Sequence, residues 1–91
     1  MSETFEKDLV IQNIKGLHAR AAATFVKTLE KIDADVWVSR LGQTVGGDSI
    51  MGLMMLAAAK GTTIHIKASG PEAQKAIDVL TSLIDSKFGE E

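Results

Sequence analysis

Residues 62–84 read TTIHIKASGPEAQKAIDVLTSLI, and the hydrophobic period of this stretch changes half-way along it. Ile64, Ile66 and Ala68 alternate with polar residues, which predicts a strand with one apolar face. Apolar residues then recur at helical spacing: Ala73, Ala76, Ile77, Leu80 and Ile84. We expect Pro71 in the first turn of this helix, because its missing N–H has no intrahelical partner there. Each element has one apolar side, so the stretch predicts a helix packed on a sheet.

The same period-two alternation predicts three further strands upstream. They cover residues 5–12, 34–40 and 44–45. Leu41-Gly42-Gln43 is a plausible turn between the last two strands, which therefore form a hairpin.

Two further helices are predicted between these strands. The first begins at Ala19, and its apolar residues fall at i, i+3, i+4 and i+7: Ala22, Phe25, Val26 and Leu29. The second covers residues 50–59, with Asp48 or Ser49 as its cap and Gly61 ending it in a left-handed conformation. The element order is βαββαβα. We therefore predict an α+β open-faced sandwich, in which a four-stranded antiparallel sheet is covered on one face by helices.

The composition excludes several classes of function. Ten Lys+Arg against twelve Asp+Glu give a net charge of −2, and only 4% of residues are aromatic, whereas nucleic-acid binders usually carry a basic face and stacking side chains. Cysteine is absent, which excludes thiol catalysis and disulfides. The opening MSETFEKDLV lacks the features of a signal peptide, and no apolar run reaches the length of a membrane span. We expect residues 1–91 to form a single cytoplasmic domain that binds neither nucleic acid nor membrane.

Two histidines are the first candidates for covalent chemistry. His65 lies on the polar side of its predicted strand, and we expect an ordinary solvated residue there. His18 lies at the start of the first helix, where N–H groups lack intrahelical partners and the helix dipole favours anions. A phosphate on a neutral, nucleophilic His18 would meet those donors, and Arg20 could offer a bidentate fork. From local pattern alone, a capping or surface role for His18 is equally open. No second ligand stands at a recognisable metal spacing, so we expect no metal.

Three segments together resemble a known family. The first two are Gly16-Leu17-His18-Ala19-Arg20 and Asp48-Ser49-Ile50-Met51-Gly52-Leu53-Met54. The third is the Lys60-Gly61 break, followed by a β-rich strand and Gly70-Pro71-Glu72. The first is similar to the active-site segment of the HPr family, the histidine-containing phosphocarriers of the bacterial phosphotransferase system. The second is similar to the regulatory-serine helix of that family. The resemblance spans nearly the whole chain, and the combination is far more specific than any one segment.

The resemblance implies a phosphoryl carrier, which is a covalent substrate of other proteins and not an enzyme in its own right. His18 would accept a phosphoryl group from Enzyme I as pros-phosphohistidine and pass it to EIIA-type domains in phosphoenolpyruvate-dependent sugar uptake. Arg20 would steady the transferred group. The carrier is expected to be a monomer without cofactor or metal. A nitrogen-type regulatory carrier, which signals rather than feeds transport, is the alternative. A pure interaction domain that never carries phosphate is disfavoured by the pairing of His18 with Arg20.

The resemblance also assigns roles around the second helix. Ser49 would be the serine phosphorylated by HPr kinase/phosphorylase, where that enzyme exists. A docking patch would be formed by three apolar residues with one basic residue at its edge: Ile50, Met51, Met54 and Lys27. From the residues alone, Ser49 is equally well explained as a plain N-cap, and a methionine cluster is more often core than surface. Yet so short a helix cannot turn all its apolar side chains inward, so some of them must be exposed.

Two positions depart from the family pattern. Ala21 stands where the family usually has Pro, but alanine is the best helix former, so the helix and its chemistry should persist. Asp48 precedes the serine, where some relatives carry Lys. Its negative charge would oppose a phosphate on Ser49, whereas the helix N-terminus would favour one.

Overall fold

The computed structural model describes residues 3–90, which contain a four-stranded antiparallel sheet with helices on one face. Its strands, in chain order, are β1 (Glu3–Val10), β2 (Asp35–Arg40), β3 (Gln43–Gly46) and β4 (Thr63–Gly70). Their order across the sheet is β1-β4-β2-β3. The predicted α+β open-faced sandwich is confirmed.

Three α-helices cover the sheet: α1 (Ala19–Leu29), α2 (Ile50–Met55) and α3 (Ala73–Asp85). A 3-10 helical turn, Lys87–Gly89, follows α3. The longest helix, α3, packs on β1, β4 and β2, and α1 packs beside both α2 and α3.

The core lies between the sheet and the helices, where the apolar face of the strands packs against the apolar faces of the helices. On β4, Ile64 and Ile66 are fully buried, and each lies opposite an apolar residue of a neighbouring strand, Leu9 and Val38 respectively. Phe25 is fully buried on the helix side. Burying a side chain of this size contributes about 1.5–3 kcal/mol, so these positions hold the helices in place over the sheet.

Several predicted boundaries are wrong. Strand β1 covers Glu3–Val10 and not residues 5–12. Helix α2 ends at Met55 and not at residue 59, because Ala57 adopts a left-handed backbone with φ of +50°. The chain then turns back: Ala58 is buried, and its carbonyl accepts a 2.9 Å hydrogen bond from the N–H of Leu17. Gly61, with φ of +87°, therefore belongs to a later turn and does not end the helix. Pro71 stands before the N-cap of α3 and not in its first turn.

Candidate functional site

His18 is the N-cap residue of α1, and the preceding loop fixes it there. Gly16 has φ of +64°, and a Cβ at that position would lie 2.3 Å from the carbonyl oxygen of Ala58, so only glycine fits. Leu17 is buried, which anchors the chain immediately before the histidine. The His18 side chain makes no capping hydrogen bond, so its ring is available for other contacts. A capping role for the His18 side chain, one of the alternatives that the sequence left open, is therefore excluded.

The N-terminus of α1, where His18 lies, has backbone N–H groups without intrahelical partners. The first intrahelical hydrogen bond runs from the N–H of Ala22 to the carbonyl of His18, at 2.9 Å. The N–H groups of Ala19, Arg20 and Ala21 come before it and have no intrahelical acceptor. This end of α1 therefore favours negative charge.

Arg20 is exposed on the first turn of α1 and shares an open cavity of about 410 Å³ with His18. Tail residues Phe88, Gly89 and Glu90 form another wall of the same cavity. Within residues 3–90, no carboxylate forms an ion pair with Arg20, so its guanidinium can bind an incoming anion. Ala21, in contrast, is completely buried and serves the core.

A contact that the sequence did not predict lies on the other side of the ring. Nε2 of His18 is 2.5 Å from Oε2 of Glu90, and Oε1 of Glu90 accepts a 2.9 Å hydrogen bond from Nδ2 of Asn13. The two side chains are only partly exposed, 26% for His18 and 17% for Glu90. The carboxylate thus contacts the loop before α1 across 77 residues of sequence and the start of α1 across 72.

Burial of the Glu90 carboxyl acts to raise its pKa, but the hydrogen bonds from Asn13 and His18 and the nearby positive charges outweigh it. The pKa of Glu90 therefore lies below its ordinary value, and the group is ionised at neutral pH.

The tail reaches this position through strained backbone. Lys87 and Phe88 have φ of +59° and +55°, a left-handed conformation that costs roughly 1–2 kcal/mol for each residue with a side chain. Phe88 is buried against the core, and that burial stabilises the turn by about 1.5–3 kcal/mol. The hydrophobic anchor therefore holds the strained turn that delivers Glu90 to His18.

Ser49 and the apolar residues behind it lie on α2. The Oγ of Ser49 accepts a 2.9 Å hydrogen bond from the N–H of Gly52, so Ser49 is the N-cap of this helix, whereas Asp48 is exposed outside it. Leu53 faces the core, while four apolar side chains of α2 are exposed. Three of them are the predicted patch residues Ile50, Met51 and Met54, with exposures of 40%, 73% and 42%, and the fourth is Met55, at 64%. Lys27 is exposed on α1, the helix that packs beside α2.

Comparison with known proteins identifies the family of this chain. The model of the PTS HPr component phosphorylation site matches residues 5–86. The chain belongs to the HPr family. The phosphocarrier protein HPr of Neisseria meningitidis serogroup A is 46% identical over 85 residues, 93% of this chain and 96% of that protein.

Solved structures of HPr have the same fold. A crystal structure of HPr-C-His from Thermoanaerobacter tengcongensis superposes with a TM-score of 0.90 at 42% identity, covering 96% of this chain and 98% of that one. A crystal structure of an HPr dimer from the same organism superposes with a TM-score of 0.75 at 43% identity, covering 90% of this chain and 94% of that one. As a member of the HPr family, the chain is a phosphocarrier protein of the phosphotransferase system.

The second histidine lies on the open face of the sheet, on the side away from the helices. Nδ1 of His65 is 2.6 Å from Oδ1 of Asp8, and its Nε2 is 2.7 Å from Oε1 of Glu6. Hydrogen bonds that the ring donates to the carboxylates of Asp8 and then of Glu6 raise the pKa of His65 above its ordinary value. His65 is thus a paired residue of the β1–β4 surface, and it does not line the cavity that His18 and Arg20 share.

This pairing predicts a pH-dependent contribution to stability. Because the folded pKa of His65 is raised, its contribution is fully present below the unfolded pKa and is lost as the pH rises through the folded value. We expect His65→Gln to lower the free energy of unfolding by less than about 1 kcal/mol at about pH 5, since the pair is solvent-exposed, and to change it little at about pH 9. Urea denaturation at both pH values measures this. An equal loss at the two pH values would show that the ion pairs are not responsible.

Within the described part of the chain, no helix is both long enough and apolar enough to cross a membrane. In the same residues, no group of three or more His, Asp or Glu side chains is placed to hold a metal ion.

Proposed function

We propose that this phosphocarrier accepts a phosphoryl group from Enzyme I on Nδ1 of His18 and passes it to EIIA-type domains in phosphoenolpyruvate-dependent sugar uptake. It would do so in the cytoplasm, as a single-domain monomer over residues 1–91. The observation that carries the proposal is the placement of the His18 ring: it stands at the N-terminus of α1, its Nε2 contacts Glu90, and Arg20 shares its cavity.

The chemistry follows from that placement. Glu90 is ionised and can only accept a hydrogen bond, so Nε2 carries the ring proton and Nδ1 keeps a lone pair. Within residues 3–90, Nδ1 has no hydrogen-bond partner. The lone pair attacks phosphorus, and the positive end of α1 stabilises the charge on the phosphoryl oxygens.

The same features support the reverse step. A ring that remains protonated on Nε2 leaves as neutral imidazole when an acceptor attacks the phosphoryl group. No proton has to move during either transfer, which suits a carrier that passes the group on without hydrolysing it. Incubation with Enzyme I, phosphoenolpyruvate and Mg²⁺, followed by intact mass measurement, tests the proposal.

Arg20→Lys is expected to slow phosphoryl transfer about tenfold. Lysine keeps the charge but loses the planar fork that binds two phosphate oxygens at once. A hydrogen bond to a charged group contributes about 1.5 kcal/mol at the low end, which corresponds to a tenfold change. Fold stability should hardly change, because Arg20 is exposed and unpaired within residues 3–90. Rapid-quench kinetics with donor and with acceptor measure the effect. Unchanged rates in both directions would remove Arg20 from the site.

We further propose that α2 docks the partners and that Ser49 regulates docking. Support comes from the accessible apolar side chains of Ile50, Met51 and Met54, because flexible methionines suit a surface that accepts several partners. Where HPr kinase/phosphorylase is present, a phosphate on Ser49 would lie at the N-terminus of α2, beside this patch. Lys27 would form the basic edge.

The nitrogen-type regulatory alternative is not favoured by the comparisons, whose matched relatives carry the name phosphocarrier protein HPr. Because one of the similar structures is that of an HPr dimer, light scattering during size-exclusion chromatography is the measurement that checks the proposed monomer.

A further inference from the structure

Asn13 is completely buried in the loop before α1, and two hydrogen bonds donated by its side-chain NH₂ group fix the orientation of the amide. Nδ2 donates to the carbonyl oxygen of Gly16 at 2.8 Å and to Oε1 of Glu90 at 2.9 Å. Oδ1 has no hydrogen-bond partner among the described residues, although a buried acceptor normally has one. One N–H of the amide therefore holds the loop and the other holds Glu90, while the amide oxygen is left without a hydrogen bond from the described residues.

The two carboxylate oxygens of Glu90 contact different parts of the chain. Oε1 accepts from Asn13, which belongs to the loop, and Oε2 contacts Nε2 of His18 at the start of α1. The buried ring of Phe88 fixes the backbone two residues earlier. The carboxylate is thus oriented on the ring by a buried amide and an anchored tail, an arrangement that a loose surface carboxylate would not have.

We propose that Glu90 is a positioning residue for phosphoryl transfer: it holds His18 in the tautomer with hydrogen on Nε2 and stabilises the positive charge that the ring acquires. This inference rests on the proposed function of His18. A carboxylate that orients a reactive imidazole through its second nitrogen acts in the same way in hydrolytic triads, where it does not itself take up the proton.

The transfer step balances without any further reactant. The Nδ1 lone pair of His18 forms the bond to phosphorus, and the bond between phosphorus and the donor atom of the phosphorylated partner breaks, leaving its electron pair on that donor atom. The proton stays on Nε2, so the ring becomes cationic next to the Glu90 carboxylate. When the group moves on, the electrons of the N–P bond return to Nδ1 and the ring is neutral again.

Glu90→Gln tests the proposal, because glutamine keeps the size of the side chain but removes its charge and can donate to Nε2 as well as accept. Glu6→Gln is the matched control, since Glu6 contacts the ring of the other histidine, His65, at 2.7 Å. Long-range ¹H–¹⁵N spectra of the unphosphorylated proteins report the His18 tautomer. Rapid-quench kinetics with a phosphorylated donor, at several carrier concentrations, separate the maximal rate from KM.

We expect wild type and Glu6→Gln to show hydrogen on Nε2 of His18 and equal transfer rates. Glu90→Gln should populate the other tautomer and lower the maximal rate about tenfold, with unchanged KM. Tenfold is the lower end of the loss seen when the hydrogen-bond partner of a metal-ligating histidine is removed. Wild-type tautomer or wild-type rate in Glu90→Gln, or an equal loss of rate in Glu6→Gln, would overturn the proposal.

Phosphorylation of the wild-type protein and the transfer rate of Glu90→Gln distinguish the function of His18 from the role of Glu90. If wild type receives no phosphoryl group on His18, the proposed function is wrong, and the positioning role in transfer falls with it. If His18 is phosphorylated but Glu90→Gln transfers at the normal rate, only the role of Glu90 is wrong.

Discussion

His18→Ala should accept no phosphoryl group from Enzyme I, whereas the wild-type protein should accept one. Alanine has no nucleophilic lone pair, and within residues 3–90 the other imidazole, His65, is held between two carboxylates on the open face of the sheet. The expected loss is complete and not a matter of degree. Labelling from phosphoenolpyruvate, followed by acid treatment, measures it, because a phosphoramidate is acid-labile whereas a phosphoserine is not.

His65→Ala is the matched control, and it should be phosphorylated at the wild-type level. The fold should survive the loss of either imidazole, since neither residue belongs to the hydrophobic core. Circular dichroism checks this. Acid-labile label that persists in His18→Ala and disappears in His65→Ala would move the phosphoryl site to the other face of the molecule.

Met51→Glu should raise the KM for Enzyme I about 30-fold while leaving the maximal rate unchanged. The Met51 side chain is 73% exposed on α2, and a partner that covers it would have to desolvate the new carboxylate without a matching donor. A cost of about 2 kcal/mol, typical of a charged group left without a partner, corresponds to that change. Transfer kinetics at several carrier concentrations measure the two constants.

Val10→Glu is the control for this surface, because Val10 is 42% exposed on the opposite side of the sheet and should tolerate the charge with normal kinetics. Ser49→Asp should act in the same direction as Met51→Glu but more weakly, since aspartate carries less charge than phosphoserine and remains a good N-cap. Unchanged kinetics for both Met51→Glu and Ser49→Asp would show that α2 is not the docking surface, and Ser49 would then be a simple cap.

The architecture was predictable because the spacing of apolar residues within each segment distinguishes a strand from a helix. Ile64 and Ile66 on β4 alternate with polar residues, and the apolar stripe of α3 repeats at helical spacing, so the buried faces could be assigned without tertiary information. The end of α2 was not predictable in this way. Residues 50–59 are apolar throughout, and what ends the helix is the left-handed turn at Ala57 together with a hydrogen bond from Leu17, which is distant in sequence.

The site was predictable only on one side of the histidine. His18 and Arg20 are neighbours in sequence, so the helix start and its charge could be inferred together. Glu90 lies 72 residues away, in a tail whose short charged sequence carries no periodic signal. Its position depends on two left-handed residues and on the burial of Phe88, neither of which local pattern predicts.

The most direct test of the central claim is phosphorylation of the wild-type protein with Enzyme I, phosphoenolpyruvate and Mg²⁺, followed by intact mass and ³¹P and ¹⁵N NMR of the product. We predict a mass increase of a single phosphoryl group, bonded to Nδ1 of His18 and lost in acid. No mass increase, or a phosphoryl group on any other atom, would contradict the account.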